Sequence, residues 1–559
     1  MTSRDSYWAA RPDSAMLNET FGAALRRAAA EAGDRLALIE LAPPGAESLV
    51  GALCCDRTWT FTELLREAER CAAWLLQRLE PGDRVCMYAP NVPEWAVLDF
   101  GAAMAGMVVV TANPALGSAE LGYVVRQSRT ALLMHVDAYR GRDLAAVAQY
   151  AGDGLCATFS LSQWNNQIRN FDGNVSELPD VRPTDPIQIQ YTSGTTGAPK
   201  GALLHHRGLL SNAQFIAERA GLRGGLAVSG LPMFHTSGTA MNVLAPVVTR
   251  STAVVPTHFH PDLVLDALER FRGEVLGAVP TMLLDLVEHP SRASRDLSAL
   301  QVAITGGAPV PSELFDRVER EFGCSLLTLY GQTELSPAIT MTSRHDDTPT
   351  RATTAGQPFP HVEIKIIDTV TSQTVPLGVE GEICARGPQL MLGYFDMPHR
   401  TAETVDAEGW LHTGDLGTMD SRGCLRITGR IRDMIIRGGE NIYPAEIESA
   451  LFEHPSVLDV AVFGMPDDRW GEIVAAAIRL DPDVNPVNSD ELQAFCRQRM
   501  AAHKSPTRWF ACTAFPLTGS GKVQKFRLRE QALADELTIL GGRPAAGDPT
   551  RELTSQSKS

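Results

Sequence analysis

The chain has 559 residues, of which 44% are hydrophobic and 21% charged, with a formal net charge of −16 and a pI near 5.3. That length exceeds one ordinary core and predicts two or more domains, and the composition is that of a soluble globular protein. The acidic balance argues against a nucleic-acid binder, which usually presents a basic face.

In chain order, the first sixteen residues are polar and lack the apolar core of a signal peptide. Thr60 and Glu63 form a capping-box signature ahead of a helix with apolar positions at Leu64, Leu65, Ala68, Cys71, Ala72, Leu75, Leu76 and Leu79. Pro81-Gly82-Asp83 turns the chain into a strand at 85–88, and Asn91 is placed to cap the next helix. Short strand patterns recur at 107–111, 131–136, 187–191, 253–256, 274–279, 302–305 and 326–329, with helical segments between most of them. That alternation predicts an α/β domain of layered, mostly parallel sheets, with ligands beyond the carboxyl ends of strands. The loops after Tyr191, Thr305 and Leu329 lie there.

From about residue 352 the pattern becomes short strands and turns, at 362–367, 381–385 and 424–428, which predicts a small antiparallel β subdomain. A charge cluster at Arg430–Asp433 precedes a compact α+β unit: a helix from Pro444, strands at 457–463 and 473–480, a helix near 490–499 and a last strand near 509–515. The expected division is a large domain over 1–429 with its β subdomain at 352–429, a hinge at 430–433, a small mobile α+β domain over 434–540, and a disordered tail over 541–559. The ten cysteines are scattered, with Cys54-Cys55 the only close pair and no metal-ligand spacing, so buried thiols in a reducing cytoplasm are expected. No run approaches the ~20 apolar residues of a membrane span. Lysine is rare, at positions 200, 365, 504, 522, 525 and 558, so a lysine within a motif stands out.

One such motif follows the strand pattern at 187–191. Thr192, Ser193, Gly194, Thr195, Thr196, Gly197, Ala198, Pro199 and Lys200, then Gly201, combine glycines, hydroxyls and one ammonium. Glycines let backbone N–H groups approach an anion closely, so the string suits phosphate. It is not a Walker A loop, because Pro199 precedes Lys200 and Gly201 follows it, and it holds no G-x-G-x-x-G.

The string resembles the phosphate loop of the adenylate-forming superfamily of acyl- and aryl-CoA synthetases, luciferases and peptide-synthetase adenylation domains. Six further segments match that family in its order: Met233-Phe-His-Thr-Ser-Gly238, Gly306-Gly-Ala-Pro309, Leu329-Tyr-Gly-Gln-Thr-Glu334, Thr413-Gly-Asp-Leu416, residues 429–448 (GRIRDMIIRGGENIYPAEIE) and Pro516-Leu-Thr-Gly-Ser-Gly-Lys-Val-Gln-Lys525. The stretch 330–367 is most like the medium-chain fatty acyl-CoA synthetases.

The resemblance implies that a carboxylate attacks the α-phosphate of ATP, giving acyl-AMP and pyrophosphate, and that a thiol then expels AMP. It implies that residues 192–200 wrap the β- and γ-phosphates, Thr333 donates to the α-phosphate, and Glu334 holds Mg²⁺. Asp415 would bind the ribose hydroxyls, and Arg430 would support the ribose or phosphate. Tyr330 would offer a face to adenine, against a small-residue wall at Gly307 and Ala308. Lys522 becomes the catalytic lysine, bridging carboxylate and α-phosphate, while Lys525 is expected to be a solvated helix charge. Because Lys522 and the phosphate loop fall on different expected domains, closure is implied, with Arg432 at a hinge position more often Asp or Lys. After the pivot, Arg437, Gly438 and Gly439 would pass the pantetheine arm of CoA. His235 reads as a gate between acyl pocket and thiol tunnel, or a packed histidine, rather than a base, since the attacking carboxylate is already ionised.

His235 also stands where amino-acid-activating relatives carry an aspartate, which disfavours an amino acid. Expected pocket segments at 236–242, 278–282, 305–308 and 330–336 are apolar or small, suiting a medium-length fatty or an aryl acid. The expected partners are that acid and CoA, or a separate carrier protein, with no nucleic acid; a homodimer is left open. The competing readings are a ligase that loads a carrier protein, a luciferase-like oxidative enzyme, and a non-catalytic acyl-ligand sensor.

Overall fold

The computed structural model describes all residues except 1–4, 44–48, 51–56, 174–177, 193–198, 482–483, 485–486, 519–521 and 542–559. The expectations for Ser193, Gly194, Thr195, Thr196, Gly197 and Ala198, for Cys54 and Cys55, and for the tail beyond residue 541 therefore lie outside the described residues. The chain divides into two compact units, Met1–Ile427 with Gly519–Lys522, and Thr428–Thr518 with Val523–Ser559.

The first unit is built on three sheets. A seven-stranded sheet has Pro186–Thr192, Val108–Ala112, Arg84–Tyr88, Thr130–His135 and Ala157–Ser160 in parallel, edged antiparallel by Lys200–His205 and Gly393–Tyr394. A nine-stranded sheet runs parallel through Ser325–Tyr330, Val302–Gly306, Val275–Gly277, Leu226–Ser229, Thr252–Pro256 and Leu36–Leu41, with short antiparallel strands at both edges. These strands are short apolar runs because helices cover both faces. The strand pattern at 274–279 is cut to Val275–Gly277, since Pro280 opens the helix Pro280–Glu288.

The third sheet is the antiparallel subdomain, with Glu363–Ile367, Gly381–Arg386 and Leu411–Met419 at its centre and Leu425–Arg430 at one edge. Its other edge is Tyr7–Trp8, paired antiparallel with Glu363–Ile367. A two-residue strand carries no periodicity, so the polar N-terminus gave no sign of it.

The capping box at Thr60 and Glu63 is present: the Thr60 N–H donates to Glu63 Oε2 (2.9 Å) and the Glu63 N–H to Thr60 Oγ1 (3.2 Å), opening the helix Phe61–Leu76. Asn91 corrects an expectation. The next helix, Glu94–Met104, has Pro93 at its N-cap and no side-chain cap. Asn91, two residues earlier, instead donates through Nδ2 to the carbonyls of Leu231 (3.1 Å) and Pro256 (3.3 Å) and accepts the Met233 N–H on Oδ1 (2.8 Å). It anchors the start of the Met233–Gly238 motif to the nine-stranded sheet.

Every residue of helix Glu94–Met104 is buried, including Asp99. The Asp99 carboxylate accepts one hydrogen bond, from Gln188 Nε2 (2.8 Å), and burial pushes its pKa up to about 7. A carboxyl that holds its proton more tightly when folded than when unfolded stabilises the fold at low pH. That contribution is lost as pH rises from the unfolded carboxyl range to about 7. The unfolding free energy of Asp99→Asn minus that of the unaltered protein should therefore rise from pH 4 to pH 8, by at most about 4 kcal/mol for ~3 pKa units. A pH-independent difference in melts of the two proteins would refute this.

The second unit is α+β. Its sheet orders Glu440–Ile442, Ile435–Arg437, Gly471–Leu480, Arg508–Ala511 and Thr538–Ile539, with Val457–Asp467 also paired to Gly471–Leu480. Helices Pro444–Phe452 and Ser489–Arg499 help bury a core of Ile435, Ile447, Leu451, Val462, Ile478 and Trp509. The expected last strand ends early, at Ala511, and the sheet closes on Thr538–Ile539 after a further helix, Lys525–Leu533. Lys525 is not a solvated charge: its ammonium lies 2.6 Å from Glu448 Oε1, which also accepts the Val462 N–H (2.7 Å).

Candidate active site

Within the first unit, the strands bearing the matched motifs end close together. Pro186–Thr192 and Lys200–His205 pair antiparallel, with Thr192 opposite Lys200. The Pro199 carbonyl is held by Tyr123 Oη (2.9 Å). Lys200 Nζ sits 4.3 Å from the centre of the Tyr394 ring, a cation–π contact. Tyr394 Oη in turn donates to Glu334 Oε1 (2.6 Å). Burial, then the charge of Glu334, keeps the Tyr394 phenol well above its ordinary pKa, so it stays a neutral donor.

Glu334 belongs to a single 3-10 turn, Thr333–Leu335, that follows strand Ser325–Tyr330. The close pass of the chain at this turn explains Gly331, where a Cβ would stand 2.3 Å from the Pro337 carbonyl oxygen. Asn212 Nδ2 bonds the carbonyls of Leu335 (3.4 Å) and Ala338 (2.6 Å) and fixes the far side of the turn. The Glu334 side chain is buried, and Tyr394 is its one hydrogen-bonding side chain among the described residues. A buried carboxylate whose one side-chain hydrogen-bond partner among the described residues is a neutral donor suits a hard divalent ion such as Mg²⁺.

Asp415 is buried at 2% exposure on strand Leu411–Met419. Its Oδ2 accepts hydrogen bonds from Tyr330 Oη (2.8 Å) and Gln332 Nε2 (2.9 Å), and Gln332 also bonds the Thr413 carbonyl (2.7 Å). The Tyr-Gly-Gln-Thr-Glu loop and the Thr-Gly-Asp strand are thus tied through one carboxylate oxygen. Sequence reasoning gave no role to Gln332 or Tyr394. Gln332 is part of the Leu329–Glu334 motif, while Tyr394 lies on a two-residue strand with no pattern of its own.

The next strand, Val302–Gly306, pairs Gly306 with Leu329, so Gly307 and Ala308 emerge beside Tyr330. Both are exposed, and Gly307 is left-handed (φ +83°). A Cβ on Gly307 would lie 3.1 Å from Lys522 Cε, so the lysine stem runs over this glycine. The Lys522 charge also reaches His235, whose pKa burial, and secondarily that charge, push down to about 4. His235 Nδ1 faces both the Ser237 backbone N–H (3.3 Å) and the Ser237 hydroxyl (2.9 Å). A backbone N–H only donates, so Nδ1 is an acceptor and the neutral ring carries its proton on Nε2. A histidine so placed is a poor base.

Arg430, Arg432, Arg437, Gly438 and Gly439 belong to the second unit. Arg432 lies in the 3-10 turn Ile431–Asp433. Gly438 and Gly439 (φ +61° and +88°) form the two-residue turn between Ile435–Arg437 and Glu440–Ile442, a turn that needs positive φ at both positions. Arg437 Nη1 donates to the His503 carbonyl (2.5 Å), and its guanidinium lies 5.5 Å from the Trp470 ring centre.

Comparison with known proteins identifies the family of the chain. The AMP-binding enzyme family matches residues 25–395, and the AMP-binding enzyme C-terminal domain matches residues 446–522. YngI of Bacillus subtilis (strain 168), assigned as an acyl-CoA synthetase, is 38% identical over 483 residues, spanning 81% of this chain and 88% of its own. The mitochondrial medium-chain acyl-CoA ligase ACSF2 of Macaca fascicularis is 33% identical over 559 residues, spanning 92% and 87%. The crystal structure of ATP-bound MatB from Rhodopseudomonas palustris is similar with a TM-score of 0.81 at 28% identity, over 92% of this chain and 99% of its own.

Proposed function

The chain belongs to the AMP-binding enzyme family and is an AMP-forming acid–CoA ligase, and we propose that its acid is a medium-chain fatty or an aryl carboxylic acid. It couples ATP cleavage to acyl-AMP and pyrophosphate, then forms the CoA thioester. The observation that carries the assignment of roles is the Lys522 stem lying over Gly307, next to the strand end that bears Tyr330 and, through it, Asp415.

In the first half-reaction, negative charge gathers on the α-phosphate as the carboxylate attacks, so fixed donors and cations count most there. Lys522 bridges the attacking oxygen and the phosphate, and Thr333 donates to the phosphate. Asp415 accepts the ribose hydroxyls while Tyr330 and Gln332 hold it in place. Residues 192–200, with Lys200 steadied over Tyr394, hold the pyrophosphate leaving group. Glu334 would carry Mg²⁺, which supplies neutralisation of the phosphate charge. No base is needed, and neutral His235 fits a gate at the acyl pocket. For the thiol step we assign the pivot to Arg432 and passage of the pantetheine arm to the turn at Gly438 and Gly439, while Arg430 supports the ribose or phosphate in the first half-reaction.

The buried residues Thr236, Thr239, Ala240, Met241, Asn242 and Ala278, with no ionisable side chain among them, support an uncharged acyl tail, and the name of the ACSF2 relative supports medium length. No helix among the described residues is long and apolar enough to cross a membrane. The eight described cysteines are free thiols, which suits the cytoplasm, where we place the enzyme; the mitochondrial designation belongs to the relative. Pyrophosphate release across acids graded in length and aromaticity, with and without CoA, tests the reading. Turnover should peak with medium-chain or aryl acids and give acyl-CoA. Adenylation that CoA cannot complete would indicate a carrier-protein thiol, and no turnover on any acid would indicate a sensor.

A further inference from the structure

The antiparallel subdomain contains a second cluster of reactive side chains that the ligase chemistry does not use. Strands Gly381–Arg386 and Leu411–Met419 pair with Cys384 directly opposite His412, and Glu382 stands two residues from Cys384, beyond a register shift. His412 Nδ1 lies 3.0 Å from Glu382 Oε2 and 3.6 Å from Cys384 Sγ. One donor atom from each of the three residues falls within 4.8 Å of the others.

The two separations from His412 Nδ1 fit tetrahedral zinc. Bonds of ~2.0 Å to nitrogen and oxygen and ~2.3 Å to sulfur place ligand atoms about 3.3 Å (N to O) and about 3.5 Å (N to S) apart. A carboxylate also stands on the far side of the His412 ring, just beyond hydrogen-bond distance. His412 Nε2 faces Asp406 Oδ2 at 3.6 Å, and Asp406 is held through Oδ1 by the backbone N–H groups of Glu408 and Trp410 (2.9 Å each). The other oxygen of Glu382 accepts the Gly414 N–H (3.0 Å), which fixes the carboxylate. Lys365 is a nearby cation, its ammonium 4.4 Å from the Trp410 ring centre.

We propose that Glu382, Cys384 and His412 form a binding site for a thiophilic divalent cation of the zinc class, with a fourth position open to water. Burial, then the charge of Glu382, keeps the Cys384 thiol protonated without the ion, with Asp406 adding to the effect and Lys365 opposing it, so binding releases a proton. Adjacent-strand pairing, not sequence spacing, assembles the cluster.

Cobalt(II) titration of the chelator-treated, full-length protein tests the site. A sulfur-to-cobalt charge-transfer band should saturate at about one equivalent and be displaced by zinc. Cys384→Ser should abolish the band, and His412→Gln should weaken cobalt affinity at least ~10-fold. Cys384 is buried, so its variant is compared by thermal melt, while half-exposed His412 carries the test independently. A missing band in the unaltered protein, a band that survives Cys384→Ser, or an affinity unmoved by His412→Gln overturns the proposal.

Discussion

Lys522→Ala should lower ATP–pyrophosphate exchange by about a thousandfold or more, while transfer from supplied acyl-AMP to CoA stays within a few-fold of the unaltered enzyme. The size of the first effect follows from where charge develops. Removing a single preorganised donor at a developing anion costs ~10²–10³ in rate, and an ammonium that also holds the attacking carboxylate in line adds a positioning term. The second half-reaction breaks the acyl–phosphate bond from the thiol side, so it does not require that bridge. In the structure the Lys522 stem lies over Gly307, whose positive φ leaves no room for a Cβ without strain, so the loop at 307 is shaped for a long side chain to cross it. The Lys522 charge also helps hold His235 neutral, so Lys522→Ala should raise the His235 pKa slightly and leave the acyl pocket otherwise unchanged. Equal loss of both half-reactions would show that Lys522 serves the fold or the thiol step, and would sink the division of labour proposed for it.

The chemistry was legible because the motifs are contiguous strings: the composition of residues 192–200 suits phosphate, and the family resemblance of all seven motifs implies the reaction. The strand positions were legible too, since short apolar runs between turn residues mark a sheet covered on both faces. What stayed hidden was assembled across distance. Gln332 meets Asp415 over 83 residues and Tyr394 meets Glu334 over 60, and no local period encodes such a meeting. Asn91 looked like a helix cap because caps are the commonest use of an asparagine before a helix, yet three buried backbone groups of the 231–256 region claimed it first. Lys525 looked solvated because its partner Glu448 lies on another helix. Cys384 and His412 had no metal-like spacing because a strand ladder brings them face to face across a sequence separation of 28. In each case the residue type was readable and its partner was not.

Asp415→Ala is the second change expected to be severe, reducing kcat/KM for ATP in acyl-adenylate formation by ~10²–10⁴. A hydrogen bond to a charged acceptor contributes about 1.5–3 kcal/mol, and a ribose diol would lose two of them. The structure adds a second cost, because the same substitution strips Tyr330 Oη and Gln332 Nε2 of a shared acceptor and loosens the tie between the 329–334 loop and the 411–419 strand. The two costs can be separated. Tyr330→Phe and Gln332→Ala leave the carboxylate in place and remove one support each, so they should reduce kcat/KM far less, about 5- to 30-fold. Replacing ATP with 2′-deoxy-ATP removes one ribose hydroxyl without touching the protein. The unaltered enzyme should discriminate against 2′-deoxy-ATP by at least about tenfold, and Asp415→Ala should scarcely discriminate at all. If Asp415→Ala keeps the full preference for ATP, the carboxylate is a brace for Tyr330 and Gln332 and the ribose is held elsewhere. Loss of the preference together with the activity is the outcome that joins Asp415 to the ribose directly, since a purely structural brace has no means of sensing a single hydroxyl.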